Sequence, residues 1–172
     1  MLGANKLYLS IAITIGIVIC LLGIPKGQAQ QHQHLAIDGT YRLTSRKLAD
    51  GTIMKPPDVI GLYTYTKSYR NFSLVEKSAQ GGMRAVSITA TYNLTATQYS
   101  ETLLAMATSE QGSEQKVTYD VSGKTGTSPV TVDDGQIQFK LPVDPLPVSL
   151  RFKGNTLTAT GPGFVDTWEK VP

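Results

Sequence analysis

Apolar and polar residues alternate without a break along one nine-residue stretch in the middle of the chain. The stretch from Val86 to Leu94 reads V-S-I-T-A-T-Y-N-L, so Val86, Ile88 and every second residue after them share one face. This strict alternation is typical of a β-strand with one face hidden from water. We therefore predict a strand whose apolar face is turned to the interior of a sheet.

Similar strand signals recur along the rest of the chain, with turn residues between them. The segment YSETLLAMATSEQ also fits a short helix around Leu103, and its strand neighbours favour a strand. The segment GKTGTSP from Gly123 is predicted to be a loop, and the sequence Asp133-Asp134-Gly135 to be a hairpin turn. The predicted strands begin at Gly39 (GTYRLTS), Val59 (VIGLYTYT), Tyr69 (YRNFSLVE), Arg84, Tyr99, Lys116 (KVTYDVS), Ile137 (IQFKLPV), Val148 (VSLRFKG), Asn155 (NTLTATG) and Phe164 (FVDTWEK).

This spacing predicts an all-β fold. Eight to ten short strands with frequent turns are typical of a sandwich or barrel. An antiparallel meander exposes two edges unless it closes, and a closed barrel of eight strands has room for side chains or for one small ligand. We predict a single antiparallel up-and-down β-barrel over residues 37–172.

The first residues of the chain predict export. Lys6 precedes an uncharged run from Leu7 to Ile24, and Gly27 and Ala29 follow it, which indicates a signal peptide over residues 1–29. The run is also at the lower limit for an uncleaved membrane anchor. Both alternatives place the remainder outside the cytoplasm, in the periplasm or secreted, with the membrane contacted only through a retained segment. Residues 30–36 are predicted to be a polar linker.

The residue types present exclude several kinds of site. Cys20 lies in the apolar run, His32 and His34 lie in the linker, and residues 35–172 contain neither histidine nor cysteine. A Ser–His or Cys–His nucleophile and a His/Cys metal site are therefore excluded within the fold, and no cofactor is predicted. The net charge is +3, and the chain has no basic run, so no nucleic-acid partner is predicted.

The candidate binding residues come from the alternation itself. If the faces of two successive strands point inward, Arg70, Glu76 and Arg84 form a polar clasp that holds a carboxylate or oxyanion of a ligand. The alternative is an ordinary surface pair at the strand ends. Apolar side chains are predicted either to line a ligand cavity or to fill the core: Tyr63, Tyr65, Phe72, Tyr92, Met106, Phe139 and Phe152.

Four segments in order along the chain resemble the bacterial lipocalin-like domain family. They are GTYRLTS, PPDVIGLYTYT with RNFSL after it, SITATYNL, and GNTLTATGPGFVDTWEKV. The resemblance spans about Leu35 to Val171. The sequence departs from the family at Tyr41, where tryptophan is usual, and at Ala90, where glycine is usual. The resemblance implies a calycin-type barrel that binds small apolar molecules, with Trp168 as a structural plug.

These observations lead to three functional hypotheses. The first is an exported binding protein for a small apolar or amphipathic molecule held in the barrel. The second is an isomerase or cyclase on the same barrel that works without histidine or cysteine. The third is a structural or interaction module with a filled barrel. Ligand identity and oligomeric state stay open at this stage.

Overall fold

The computed structural model describes residues 35–78, 81–111 and 115–172. All regular structure in these ranges is antiparallel β-sheet, which confirms the all-β prediction, and none of their residues form a helix long and apolar enough to span a membrane. The predicted signal segment 1–29, and residues 30–34 of the predicted linker, lie outside the described residues. The strands are β1 (Gly39–Leu48), β2 (Ile53–Met54), β3 (Val59–Tyr65), β4 (Tyr69–Lys77), β5 (Met83–Leu94), β6 (Gln98–Gln111), β7 (Gln115–Asp120), β8 (Thr125–Pro129), β9 (Thr131–Asp133), β10 (Gln136–Lys140), β11 (Ser149–Lys153), β12 (Thr156–Gly161) and β13 (Phe164–Lys170).

The strands form one curled sheet built from two meanders. Its order is β7-β6-β5-β4-β3-β1-β13-β12-β11-β10-β9, with β2 paired to β1 and β8 paired to the first half of β6. Strand β1 lies between β3 and β13 and so joins the meander β3–β7 to the meander β9–β13. The sheet curls into a half-barrel, and its concave face carries the core.

Strand β8, which pairs with β6 near one end of the curled sheet, also approaches β10 near the other end. The Ser128 hydroxyl in β8 donates a hydrogen bond of 2.6 Å to the carbonyl oxygen of Lys140 at the end of β10. The prediction of a loop over GKTGTSP was wrong at this point, because Thr125–Pro129 pairs with β6. Long-range pairing outweighs the local glycine and proline content here. With the short strands β2 and β9, this raises the number of strands in the described residues above the predicted eight to ten.

The alternating stretch of the sequence forms β5, as predicted. Ile88 and Ala90 are buried and Ser87 is exposed. The pairing of β5 with β6 contains a bulge in which Leu104 has no partner, so the inward face of β6 changes from Leu103 to Met106. One uninterrupted alternation therefore describes β5 and not β6.

Aromatic side chains fill one part of the interior. The rings of Tyr99 and Phe139 stack with centroids 4.1 Å apart, and those of Phe139 and Phe152 stack at 5.7 Å. Trp168 is fully buried and meets Tyr63 edge-on at 5.0 Å. Stacked and edge-on aromatic pairs contribute beyond their buried area, so this part of the core is both dense and specific.

The Asp133-Asp134-Gly135 segment turns the chain from β9 to β10, as predicted. Asp134 has a φ of 44° and Gly135 a φ of 70°. Two successive positive φ values are typical of the tight hairpin turn that suits the twist of the flanking strands. These carboxylates therefore have a structural explanation.

Candidate functional site

A cavity of about 300 Å³ lies on the concave side of the sheet, beneath the β10–β11 loop (residues 141–148). Its walls are mainly apolar. One end is charged, and the loop contributes Asp144, Pro145 and Leu146 to the lining. Apolar side chains on the wall come from β3, β4, β5, the loop, β12 and β13: Tyr63, Phe72, Leu74, Val86, Ile88, Val148, Ala159 and Phe164. The arrangement suits a molecule with an apolar body and a polar end.

The charged end of the cavity consists of Arg46, Glu76, Arg84 and Asp166, which we call the mouth cluster. Arg46 forms a bidentate ion pair with Asp166, in which Nε donates to Oδ1 and Nη2 donates to Oδ2, both at 2.7 Å. Arg46 Nη1 also donates to Glu76, whose other oxygen accepts from Arg84 Nη1 at 3.1 Å. The four charges thus form one continuous network that sums to zero.

Burial and pairing act against each other within the mouth cluster. Burial opposes a charge on Arg46, but the hydrogen bonds and charges of Asp166 and Glu76 together outweigh it, so the pKa of Arg46 is raised. Burial raises the pKa of Asp166, and Arg46 opposes that change. The guanidinium of Arg46 also lies 4.5 Å from the centre of the Phe164 ring, a cation–π distance. Arg46 is therefore held in place as a cation.

Arg84 is the member of the mouth cluster with hydrogen-bonding capacity to spare. Its side chain is 38% exposed, and within the described residues it donates one hydrogen bond, to Glu76. Its Nε lies 3.7 Å from a carboxylate oxygen of Glu110. Because a guanidinium carries five N–H donors, Arg84 can take a further acceptor at the cavity mouth.

A second charged group lies deeper, and we call it the interior cluster: Arg70, Glu101 and Asp144. Arg70 is fully buried, and its Nε donates to Glu101. Its two Nη atoms donate to the two carboxylate oxygens of Asp144, which ties the β10–β11 loop to β4. Breaking a buried pair of this kind is costly because it leaves an uncompensated charge, so the interior cluster fixes the loop that covers the cavity.

The interior cluster contains more acid than base. Burial raises the pKa of Glu101 to about 7, with Asp144 adding to the effect and Arg70 opposing it. Within the described residues, Glu101 Oε2 and the hydroxyl groups of Tyr65 and Tyr99 are buried without a hydrogen-bond partner. Polar atoms that are buried without a protein partner are ordinarily hydrogen-bonded to an ordered water, and a carboxylate can instead bind a proton.

The structure brings together part of the predicted clasp. Glu76 and Arg84 face each other in register and share a hydrogen bond at the cavity mouth. Arg70 binds the interior cluster instead, and Arg46 and Asp166 complete the mouth. Asp166 lies two residues before the buried Trp168 in the same strand, so both side chains point to the same face of the sheet. This spacing was the one feature of the sequence that indicated an inward-facing Asp166.

The predicted apolar lining divides into three groups. Tyr63 and Phe72 line the cavity. Met106 packs against a separate small cluster of Ile88, Leu103 and Val143. The remaining predicted residues lie in the filled part of the core: Tyr65, Tyr92, Phe139 and Phe152. The interior is therefore filled in one part and hollow in another.

A groove of about 540 Å³ lies elsewhere, on the convex side of β1, β3 and β4. It is lined by Pro56, Ile60, Leu62 and Val75, with Arg42 as its charged residue. Ile60 and Leu62 are exposed, so the groove is a surface depression. The concave cavity, with its buried charges, is the better candidate site.

The described residues contain no group of three or more histidine, cysteine, aspartate or glutamate side chains placed to hold a metal ion. No protein-family model matches the chain, and no curated protein or solved structure matches it significantly. The function has to be inferred from the geometry of the site.

Proposed function

We propose that this chain is an exported, lipocalin-like binding protein that holds one small amphipathic molecule in the concave cavity. The observation that carries the proposal is the cavity itself, with apolar walls and the mouth cluster at one end. The approach of β8 to β10 supports closure of the sheet into a barrel around it. The family resemblance of the sequence supports the same fold and the same kind of ligand.

The size of the cavity limits the ligand. A volume of about 300 Å³ is at the lower end of the range for small-molecule sites. The apolar body of the ligand lies against Tyr63, Phe72 and Ile88. A short acyl chain or a single ring system with one polar group has the right dimensions.

The charges at the mouth favour an acceptor or anionic head group. Both oxygens of Glu76 already accept hydrogen bonds from arginines, and Arg46 is committed to Asp166 and Glu76. The donors that face outward belong to Arg84. A carboxylate on the ligand would find charge-assisted hydrogen bonds there, which are stronger than neutral ones.

The predicted leader fits this role. A signal over residues 1–29 would deliver the domain to an oxidising compartment, and its lack of cysteine leaves the fold to be held by its core. Apolar compounds need a carrier in such aqueous compartments. The proposal therefore joins an exported chain to a largely apolar cavity.

The test compares two probes that share one chain and differ in their head groups, decanoate and decanol. Isothermal titration calorimetry is performed on the protein as its host produces it, after solvent extraction of any bound compound. We expect both probes to bind in the cavity, and decanoate to bind more tightly. Arg84→Gln should weaken decanoate binding roughly fivefold to tenfold and leave decanol binding nearly unchanged.

A matched pair of variants locates the site. Val86→Trp puts an indole into the cavity and should abolish binding of both probes, whereas Ser87→Trp puts the same group on the exposed face of β5 and should leave binding intact. Circular dichroism confirms that each variant is folded. Undiminished binding to Val86→Trp, or no binding of either probe to the unaltered protein, would contradict the proposal.

A further inference from the structure

Strand β7 is an edge strand of the sheet formed by the described residues. Among the described residues it pairs with β6 alone and ends the sheet on that side. Its backbone N–H and C=O groups on the other edge have no strand partner in the described part of the chain. Natural proteins protect such edges or use them for pairing with another chain.

The side chains of this edge are apolar on one face. Val117, Tyr119 and the following Val121 are 43%, 77% and 75% exposed. They lie on the convex face, since Tyr119 is opposite Ala107, which in turn is opposite the exposed Ser87. Three large apolar side chains so exposed on an edge strand indicate a protein partner.

The sequence of β7 is complementary to itself. Residues directly opposite each other in an antiparallel pair have their side chains on the same face of the sheet. In a two-fold symmetric pair, one residue must therefore lie opposite its own equivalent in the partner, and the axis passes between these two residues. An axis at Thr118 places Lys116 opposite the partner's Asp120 and Val117 opposite the partner's Tyr119. Axes at Val117 or Tyr119 bring neither charge opposite its complement.

We propose that β7 pairs with β7 of a second copy of this chain, antiparallel and centred on Thr118, and so joins the two sheets edge to edge. The pairing forms two ion pairs on one face and two Val–Tyr contacts on the other. Opposite charges and aromatic–aliphatic pairs are both favourable cross-strand neighbours.

The charge state of Asp120 suits this pairing. Its Oδ1 accepts a 2.8 Å hydrogen bond from the Ser122 amide, which lowers the pKa of the carboxyl group. Asp120 is therefore ionised at neutral pH and available to a lysine. One pair of short strands gives an interface smaller than the standard size, so the dimer is expected to depend on concentration.

The experiment is sedimentation velocity over a range of concentrations, again on the protein as its host produces it. Lys116→Glu and Asp120→Lys each place two pairs of like charges face to face. Each variant alone should raise the dissociation constant of the dimer roughly tenfold. Lys67→Glu, at an exposed position in the β3–β4 turn, makes the same change in net charge as Lys116→Glu and should have no effect on the dimer.

An equimolar mixture of the two β7 variants provides the decisive outcome. In the mixed dimer every introduced charge faces its opposite, so the mixture should associate nearly as tightly as the unaltered protein. A protein that is monomeric at every concentration would overturn the proposal. A dimer whose dissociation constant is unchanged by both charge reversals would also overturn it. So would a mixture of the two variants that associates no more tightly than either variant alone.

Discussion

At the scale of single residues, the most unusual group is the carboxyl group of Glu101. It is buried beside Arg70, and burial raises its pKa from 4.5 to about 7. Between pH 4.5 and about pH 7, the Glu101 carboxyl group is protonated in the folded protein and ionised in the unfolded chain. The stabilisation from this proton is therefore fully present below about pH 4.5, and it is lost as the pH rises through about 7.

Glu101→Gln isolates this effect, because a glutamine side chain does not titrate. The free energy of unfolding of the unaltered protein should fall by on the order of 2 kcal/mol between about pH 5 and pH 8, relative to the variant. Urea denaturation followed by circular dichroism at a series of pH values measures both proteins. Parallel pH profiles for the two would show that Glu101 is ionised throughout.

At the scale of one element, β3 shows why a strand with a strong β-sequence carries a glycine. Gly61 faces the interior, and a Cβ built there would lie 2.8 Å from Cη2 of Trp168 and 2.8 Å from the carbonyl oxygen of Ser73. Real side chains do not pack so closely. The glycine therefore makes room for the one tryptophan of the protein.

Gly61→Ala should lower the free energy of unfolding by about 1–3 kcal/mol, because the added methyl group overpacks the core. Ile60→Ala is the matched control, since Ile60 is the adjacent residue and is exposed on the other face. It should change stability by about 0.5 kcal/mol or less. Urea denaturation compares the two, and equal effects would refute this role of Gly61.

At the scale of the whole molecule, the sheet could be predicted from sequence because alternation is a local property. The strands β3, β4 and β5 begin and end close to their predicted positions, and their short turns fix the register that pairs Glu76 with Arg84. Strand β8 was missed, since its sequence resembles a loop and only pairing with β6 makes it a strand.

The rest of the site depends on contacts that local patterns do not encode. Arg46 and Asp166 are 120 positions apart and meet because β1 pairs with β13 across the curled sheet. Arg70 and Asp144 are 74 positions apart and meet through a loop. Alternation placed Arg70 on the same face of β4 as Glu76, but the inward orientation of that face and the carboxylates that Arg70 binds depend on how the sheet and the loop fold.

The position of Trp168 gives the protein an optical property of its own. Its indole is fully buried and contacts Tyr63 and Phe72, at 5.0 Å and 6.1 Å between ring centres, and both of these rings line the cavity. Ultraviolet excitation should therefore give a single emission band at the short wavelengths of a dry environment. Any occupant of the cavity lies one ring away from the emitter, so its arrival should alter the intensity of that band without an added label.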